Sequence, residues 1–270
     1  MANLLFSIDL EEFYTASGKA AKGATPVDQL TERYLEFLRE CGGKATFFVV
    51  GDLARSYPDL LQTIASEGHE LACHGDRHIT LDRMDRVFLL EDLLRNCDAV
   101  SDACGVRPIG FRAPLLSLTS DQEWAYEVLS EAGFLYSSSV LPAKNPLYAW
   151  PEFGEEYKRI GDVYEMPVTV GRVAWMTLPF FSGAYFRALP WFMIRRAFTR
   201  ASRLHPISGY LHPYDIDTNQ PKTLHKELAN RRYLNPLLFA NRKSVLKRLR
   251  KVVEMGYEIT RYRSIVPSEN

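Results

Sequence analysis

Short apolar runs alternate with segments of helical periodicity along most of this 270-residue chain, and this alternation restricts the folds open to it. The predicted strands cover 4–9, 44–51, 69–73, 108–111, 134–137, 163–170, 207–212 and 257–260. The predicted helices cover 26–41, 58–68, 81–104, 121–132, 185–203 and 241–255. Such alternation favours an α/β fold with a parallel sheet, and seven or eight repeats favour a (β/α)7-8 barrel. With 46% hydrophobic residues the chain can bury one large core, so we expect a single domain over 1–270.

Two segments depart from the alternation. Residues 141–161 are rich in Pro, Tyr and Trp and are predicted to form a loop-rich insertion. Residues 173–203 are rich in aromatic side chains, but prolines and arginines interrupt them, so we expect no transmembrane segment. We expect this aromatic segment to cap the core and line a substrate groove, with peripheral membrane contact as the alternative.

The charge balance, the cysteine content and the first residues bear on the expected partners and cellular location of the protein. Basic and acidic residues balance at 33 each, which gives no indication of nucleic acid as a partner. The four cysteines show no C-x-x-C spacing and are predicted to be reduced thiols, with a Cys97–Cys104 link left open. The first residues carry no basic region before Asp9 and read as a strand rather than a signal peptide, so a cytoplasmic location is expected.

Polar residues of catalytic type stand at the ends of four predicted strands. They are Asp9 with Glu11, His74, Arg112 and His212. Because a barrel places its site at the carboxyl ends of its strands, these side chains are expected to converge.

The pair His74 and His78 carries the clearest metal signal in the chain. Four residues separate the two imidazoles, and one helical turn at that spacing would let both nitrogens reach one borderline metal such as Zn²⁺. Two surface histidines on a loop are the competing interpretation of the pair by itself.

Four motifs in sequence order resemble the polysaccharide deacetylases of the NodB-homology group, carbohydrate esterase family 4, over roughly residues 4–217. The motifs are Phe6-Ser7-Ile8-Asp9, His74-Gly75-Asp76-Arg77-His78, Gly110-Phe111-Arg112-Ala113-Pro114 and Tyr210-Leu211-His212-Pro213. Residues 183–187 and 212–217 are further similar to a branch found with exopolysaccharide and exosortase-type loci. The resemblance implies a deformed barrel and hydrolysis of an acylated sugar.

The resemblance also implies a role for each motif residue. His74 and His78 would hold a divalent metal, Zn²⁺ first and Co²⁺, Ni²⁺ or Mn²⁺ as alternatives. Asp9 would act as the general base that deprotonates a water, and His212 would protonate the leaving amine. Arg112 would orient Asp9 and pair with its charge.

One position departs from the family pattern. The family usually has a second aspartate directly after the first, as a metal ligand, but Leu10 stands there. Residues two apart on a strand point the same way, so Glu11 can face the site together with Asp9, whereas Glu12 would face away. We therefore predict Glu11 as the third ligand.

Further roles follow from the same resemblance. Glu165 lies where the family places an acid that tunes the catalytic histidine, and a strand-end surface acid is the alternative. The backbone N–H of Leu115 is a candidate oxyanion donor. Aromatic residues that could stack on sugar rings are Trp150, Trp175, Tyr185 and Phe186, with core packing as the alternative.

The resulting hypothesis is a metal-dependent hydrolase that removes an N-acetyl or formyl group from an amino sugar. The expected partner is an N-acylated sugar, oligosaccharide, nucleotide-sugar or lipid-linked sugar. The alternative is a non-catalytic carbohydrate-binding protein that retains the fold but has lost turnover with the change at Leu10. An unrelated barrel metallohydrolase would require a second cluster of His and Asp, for which the sequence offers no spare group.

Overall fold

Nine strands of the computed structural model hydrogen-bond into one mostly parallel sheet, within the described residues 2–13, 23–173, 176–201, 206–225, 228 and 232–267. The strands of this sheet are β1 (Ala2–Leu10), β2 (Thr46–Val49), β3 (Glu70–Cys73), β4 (Gly110–Phe111), β5 (Tyr136–Ser137), β6 (Lys158–Ile160), β7 (Val163–Glu165), β10 (Ile207–Leu211) and β11 (Tyr257–Thr260). A separate antiparallel pair consists of β8 (Gly171–Val173) and β9 (Met176–Leu178). The helices are α1 (Val27–Cys41), α2 (Gly51–Ser56), α3 (Pro58–Ser66), α4 (Arg86–Cys104), α5 (Ala125–Glu131), α6 (Gly183–Ala188), α7 (Trp191–Ala201) and α8 (Val245–Glu254).

The sheet order is β10-β1-β2-β3-β4-β5-β7-β6, with β11 also paired to β1. All pairs are parallel except β6 with β7. The chain after β7 returns to the far edge, where the N–H of Thr169 donates to the carbonyl of Ser208 at 3.2 Å. The α/β fold with a deformed, mostly parallel barrel is therefore confirmed.

The register of the strands decides which residues at the strand ends are neighbours. Ile8 on β1 pairs with Leu211 on β10, so Asp9, the next residue of β1, and His212, the residue after β10, are neighbours. Cys73 on β3 pairs with Phe111 on β4, so His74 and Arg112 are neighbours in the same way. Parallel pairing brings these side chains to one end of the sheet.

One helix begins five residues later than the sequence-based expectation. The helix predicted over 81–104 begins at Arg86, because the side chain of Asp85 accepts the N–H of Phe88 at 2.8 Å and caps it there. Leu81–Arg83 forms a separate 3₁₀ turn. The end of α1 agrees with expectation, since Gly42 adopts a left-handed conformation at φ 68° just after the helix.

The two irregular segments contain more structure than predicted. Residues 141–161 hold a 3₁₀ turn at Pro151–Phe153 and the edge strand β6. The aromatic segment begins at the last residue of β8 and contains β9, α6 and α7. Its residues Phe180, Phe181 and Phe198 are buried in the main core cluster. This segment therefore caps the core as expected. Within the described residues, no helix combines the length and hydropathy that a membrane span requires.

The cysteines form no disulfide. Cys41, Cys73, Cys97 and Cys104 are all free thiols. The Cys97–Cys104 link left open from the sequence is wrong, because both residues lie on α4. Seven residues of helix separate their Cα atoms by roughly 10 Å, which is beyond the reach of a disulfide.

Candidate metal and proton-transfer site

A cleft at the carboxyl ends of the strands contains most of the predicted polar residues. Its lining includes Asp9, Glu11, His74, His78 and His212. The convergence expected from the strand ends is therefore confirmed.

Glu11, His74 and His78 form a group whose ligand-type atoms all lie within 4.8 Å of one another. Glu11 Oε2 is 2.5 Å from His78 Nε2 and 3.9 Å from His74 Nε2. Two imidazoles and one carboxylate are a donor set typical of a catalytic zinc site. Within the part of the chain that the structure describes, this is the one such group, so nothing there supports a second metal cluster.

His74 is prepared as a neutral ligand. Its Nδ1 lies 2.8 Å from the carbonyl oxygen of Arg112, which can only accept, so Nδ1 carries the proton and Nε2 keeps its lone pair. Burial lowers the pKa of His74 to about 4. The imidazole is therefore uncharged at neutral pH.

Glu11 is held as a carboxylate. Burial alone would raise its pKa, but the charge and hydrogen bond of His78 and the nearby His212 and His74 outweigh burial and hold the pKa well below its usual range. The hydroxyl of Tyr214 donates to Glu11 Oε1 at 2.9 Å. The other oxygen of the carboxylate then faces the two histidines.

The histidine pair reaches the site through a turn rather than along a helix. β3 ends at Cys73, and the following residues are irregular, with positive φ at Gly75 (74°) and His78 (54°). Side chains of α4 hold this turn. Asp92 accepts the N–H of Asp76 at 2.7 Å, and Asn96 donates to the carbonyl of Gly75 at 2.7 Å.

The side chains of Asp9, Leu10 and Glu11, at the end of β1, alternate as predicted. Asp9 and Glu11 both line the cleft, whereas Leu10 is fully buried in the main core cluster. Glu12 is outside the cleft lining, and the hydroxyl of Tyr57 donates to it at 3.4 Å. The geometry thus brings Glu11, not Glu12, beside His74 and His78.

Asp9 is paired with a buried guanidinium. Arg112 Nη1 donates to Asp9 Oδ1 at 2.7 Å, and Arg112 is fully buried. The same guanidinium donates to the hydroxyls of Ser7 and Tyr262 and lies over the ring of Phe48. Asp9 Oδ2 is left facing the histidines, 4.0 Å from His74 Nε2.

His212 is paired with an acid three residues along the chain. Its Nδ1 lies 3.2 Å from Asp215 Oδ2, and its Nε2 is 3.6 Å from Glu11 Oε1. Burial opposes protonation of His212, but the hydrogen bond and charge of Asp215 outweigh it and raise the pKa. Asp215 forms an ion pair with fully buried Arg187 at 2.9 Å. Against the opposing effect of burial, Arg187 and His212 lower the pKa of Asp215 to about 2.

The structure does not bring Glu165 to His212, so the predicted tuning contact is wrong. Glu165 is fully buried at the end of β7, where Oε1 accepts the N–H groups of Ser139 (2.8 Å) and Val140 (3.0 Å). Its other oxygen accepts the hydroxyl of Tyr126 at 3.1 Å. The contacts of Glu165 are therefore with the backbone after β5 and with Tyr126 on α5.

Leu115 lies beside the cleft in an uncommon conformation. It follows Pro114 with φ 57°, and Leu116 has φ 56°. Left-handed conformations cost a residue with a side chain of the order of 1–2 kcal/mol and cluster at functional sites. Leu115 lines the cleft, and its role as oxyanion donor stays a prediction.

The predicted sugar-stacking residues divide between cleft and core. Tyr185 lines the cleft. Phe186 is fully buried against Phe181, and Trp150 packs against Phe153 outside the cleft lining, so for both the core alternative holds. Trp175 lies outside the described residues.

Sequence reasoning missed three residues of the site, namely Asp215, Tyr214 and Arg187. A local signal for Asp215 was present, because an acid three residues after the first residue of a turn often accepts the backbone N–H of that first residue. Asp215 Oδ2 accepts the backbone N–H of His212 at 2.8 Å. Tyr214 stacks on His212 with ring centroids 4.6 Å apart. Arg187 ends the segment 183–187, which the resemblance had singled out without giving Arg187 a role.

Two family models match adjoining parts of the chain. Residues 22–136 match "Polysaccharide deacetylase", and residues 138–265 match "Domain of unknown function (DUF3473)". The sheet runs through both parts, since β7 pairs with β5 and β10 pairs with β1.

Curated relatives match the chain over part of its length. A peptidoglycan deacetylase-like protein of Gibberella zeae is 32% identical over 119 residues, which are 43% of this chain and 34% of that protein. Chitin deacetylase 1 of Cryptococcus neoformans is 33% identical over 31% of this chain and 18% of its own length. A peptidoglycan-N-acetylglucosamine deacetylase of Bacillus cereus is 27% identical over 37% of this chain and 36% of its own. The chain thus matches about a third or less of these relatives.

Solved structures share the fold over nearly the whole chain. A polysaccharide deacetylase homologue from Mycobacterium smegmatis superposes with a TM-score of 0.62 at 19% identity, covering 98% of this chain and 90% of that one. Peptidoglycan deacetylase PdaC from Bacillus subtilis gives 0.54 at 15% identity, covering 97% and 89%. A CE4 family pseudoenzyme from Bacillus anthracis gives 0.55 at 11% identity, covering 98% and 66%.

Proposed function

We propose that this chain, whose residues 22–136 match the polysaccharide deacetylase family model, belongs to that family and is a metal-dependent hydrolase that removes an N-acyl group from an amino sugar. Acetyl is the first choice of acyl group and formyl the second. One observation carries the proposal: the ligand group of Glu11, His74 and His78 lies between Asp9, paired with Arg112, and His212, paired with Asp215.

The donor set fits a divalent metal, Zn²⁺ first. His74 is neutral and presents Nε2, and Glu11 is ionised, so two ligands are already in the protonation state that a metal requires. A divalent metal bound there would polarise the acyl carbonyl and lower the pKa of a water.

Asp9 is the proposed general base. Its Oδ1 is engaged by Arg112 at 2.7 Å, which fixes the carboxylate and leaves Oδ2 toward the ligand group. A water between Asp9 and the acyl carbon would give its proton to Oδ2. Arg112 acts through Asp9 as a positioning residue.

His212 is the proposed general acid. The Asp215 carboxylate binds Nδ1 and favours the imidazolium, so Nε2 carries a proton toward the cleft. That proton would pass to the leaving amine as the amide bond breaks. The backbone N–H of Leu115 is proposed to stabilise the oxyanion formed on the carbonyl.

The substrate class comes from the relatives and stays a proposal. The names of these relatives describe deacetylation of chitin and peptidoglycan, both polymers of N-acylated amino sugars. More specifically, we propose that the substrate is an exopolysaccharide or its nucleotide- or lipid-linked precursor in the cytoplasm. The resemblance of residues 183–187 and 212–217 to a branch found with exopolysaccharide loci supports this proposal.

The alternative of a binding protein without turnover was motivated by Leu10. Leu10 is buried in the core, and Glu11 supplies the carboxylate that the second aspartate supplies in the family. The change at Leu10 is therefore a weaker argument for loss of turnover. The hydrolase and the binding protein can be distinguished with purified protein loaded with Zn²⁺. The measurement is the release of acetate or formate from a panel of acylated amino sugars. Tight sugar binding with full metal content and no release of either acid would favour the binding protein.

Glu11→Gln is expected to weaken metal binding more than the roughly 10–100-fold that loss of an outer-shell partner costs, because it removes a charged ligand. Glu12→Gln is the matched control and should leave metal affinity within about 2-fold. Titration of the metal-free variants with Zn²⁺ against a competing chelator measures both constants. Equal losses in the two variants would remove Glu11 from the ligand set.

Asp215→Asn is expected to move the alkaline limb of the pH–rate profile to lower pH. His212 must be charged to act as an acid, so activity is lost as pH rises through its pKa. Because Asp215 raises that pKa, the neutral amide lowers it again and the limb follows. Asp215→Asn alone would leave the buried guanidinium of Arg187 without its charge partner, so Arg187→Gln is introduced together with it. Thermal melting checks that the double variant is folded. An unmoved limb would show that another group sets it.

A further inference from the structure

One side of the cleft is apolar. Leu234, Leu237 and Leu238, which we call the leucine wall, line the same cleft as Glu11 and His212. The loop after β5 adds Leu141, Leu147 and Tyr148 to the lining.

The leucine wall is left partly open to solvent. It belongs to a 3₁₀ segment, Arg232–Phe239, in which no residue is fully buried. The side chain of Leu237 is 42% exposed. Apolar side chains that gather in a cleft without being covered mark a surface that binds something apolar.

Hydrogen bonds hold the leucine wall in place. Arg187 Nη1 and Arg242 Nε both donate to the carbonyl of Leu238, at 2.7 and 2.8 Å, and both arginines are buried. Asn235 accepts the N–H of His225 at 3.0 Å and donates to the carbonyl of Thr223 at 3.1 Å. The backbone of the segment is therefore fixed beside the cleft, with its leucines at the surface.

The leucine wall lies on the side of the general acid. Arg187, which binds Leu238, also pairs with Asp215, and Asp215 binds His212. Leu238 packs against a cluster that contains Tyr214, and Tyr214 stacks on His212. If His212 protonates the leaving amine, the leucine wall contacts the fragment that departs with that amine.

Leucine side chains cannot satisfy sugar hydroxyls, which lose hydrogen bonds to water when buried against them. Resting on the proposed hydrolase activity, we propose that the substrate is a lipid-linked amino sugar, whose hydrocarbon aglycone binds along the leucine wall while the acyl group faces the ligand group. A hydrophilic polymer segment would leave this surface unused.

The test compares methyl and octyl glycosides of N-acetylglucosamine, the octyl compound below its micelle-forming concentration. A fully buried methylene strengthens binding about 4-fold, so seven further methylenes, only partly covered, should raise kcat/KM by on the order of 10-fold or more. Leu237→Ser should bring the octyl-to-methyl ratio toward one. Leu94→Ser is the matched control, because Leu94 is 39% exposed, close to the 42% of Leu237, and lies on α4 outside the cleft lining.

The outcomes separate the two proposals. Turnover of both glycosides at equal rates would overturn the lipid-linked substrate and leave the hydrolase standing. A preference for an N-octanoyl over an N-acetyl group on the methyl glycoside would assign the hydrocarbon to the acyl side and overturn the aglycone assignment. An equal loss of the ratio in Leu94→Ser would overturn the role of the leucine wall. Absence of turnover with both glycosides and with the whole panel of acylated amino sugars would overturn the hydrolase. Calorimetric binding of the octyl glycoside, weakened by Leu237→Ser, would still support the apolar site.

Discussion

Asp9→Asn and His212→Ala are each expected to lower kcat by about 10²–10⁴-fold, the usual effect of removing a positioned base or acid. Asn keeps the shape of Asp9 but cannot take a proton from water. Ala removes the imidazole whose Nε2 points to the cleft 3.6 Å from Glu11. Steady-state acetate release with saturating substrate measures both losses.

Metal content is the internal control for this prediction. His212 is outside the proposed ligand set, so His212→Ala should keep its metal while it loses turnover. Asp9→Asn leaves buried Arg112 without a charge partner, although Ser7 and Tyr262 still bind it, so its thermal stability should be measured alongside. Near-normal turnover in folded, metal-loaded His212→Ala would assign the acid role to another group.

The double variant His74→Ala, His78→Ala should lose nearly all bound metal, from about one ion per chain, and with it all measurable turnover. Removal of two of three ligands leaves Glu11 alone, and a single carboxylate does not retain Zn²⁺ against a chelator. Elemental analysis after dialysis gives the metal content.

Comparing metal content and turnover in the two sets of variants distinguishes metal ligands from proton-transfer groups. Loss of metal together with turnover identifies a ligand, and loss of turnover alone identifies an acid or base. Full metal occupancy in the His74, His78 double variant would show that the metal binds elsewhere. The proposed site would then have to be abandoned.

The positions of the main strands could be predicted because local periodicity reports them. Ile207–Leu211 and Tyr257–Thr260 agree with the sequence pattern to within a residue. The shift of α4 by more than a turn shows the limit, since one capping side chain, Asp85, outweighed the apolar pattern upstream of it.

The convergence of the site could also be predicted, because parallel strands end at the same edge of a sheet. Asp9 lies at the end of β1, and His74, Arg112 and His212 each follow a strand directly, so their proximity required no knowledge of distant packing. The facing of Glu11 followed from the two-residue period of β1.

Tertiary structure alone decided which buried groups support the site. Glu165 and Asp215 are both acids near strand ends, but Glu165 satisfies backbone N–H groups after β5, and Asp215 is turned back on His212. Arg187 reaches Asp215 because α6 packs beside the turn that follows β10. Such contacts depend on how elements far apart in sequence pack, which local patterns do not record.

The same distinction applies to the apolar residues. The sequence by itself determined that the aromatic segment would be partly core, but packing decided that Phe186 is buried and Tyr185 faces the cleft. Packing also leaves Leu237 exposed, next to Leu238, whose carbonyl accepts hydrogen bonds from two buried arginines. Burial of a given apolar side chain is a property of its neighbours, so it was determined only when the chain had folded.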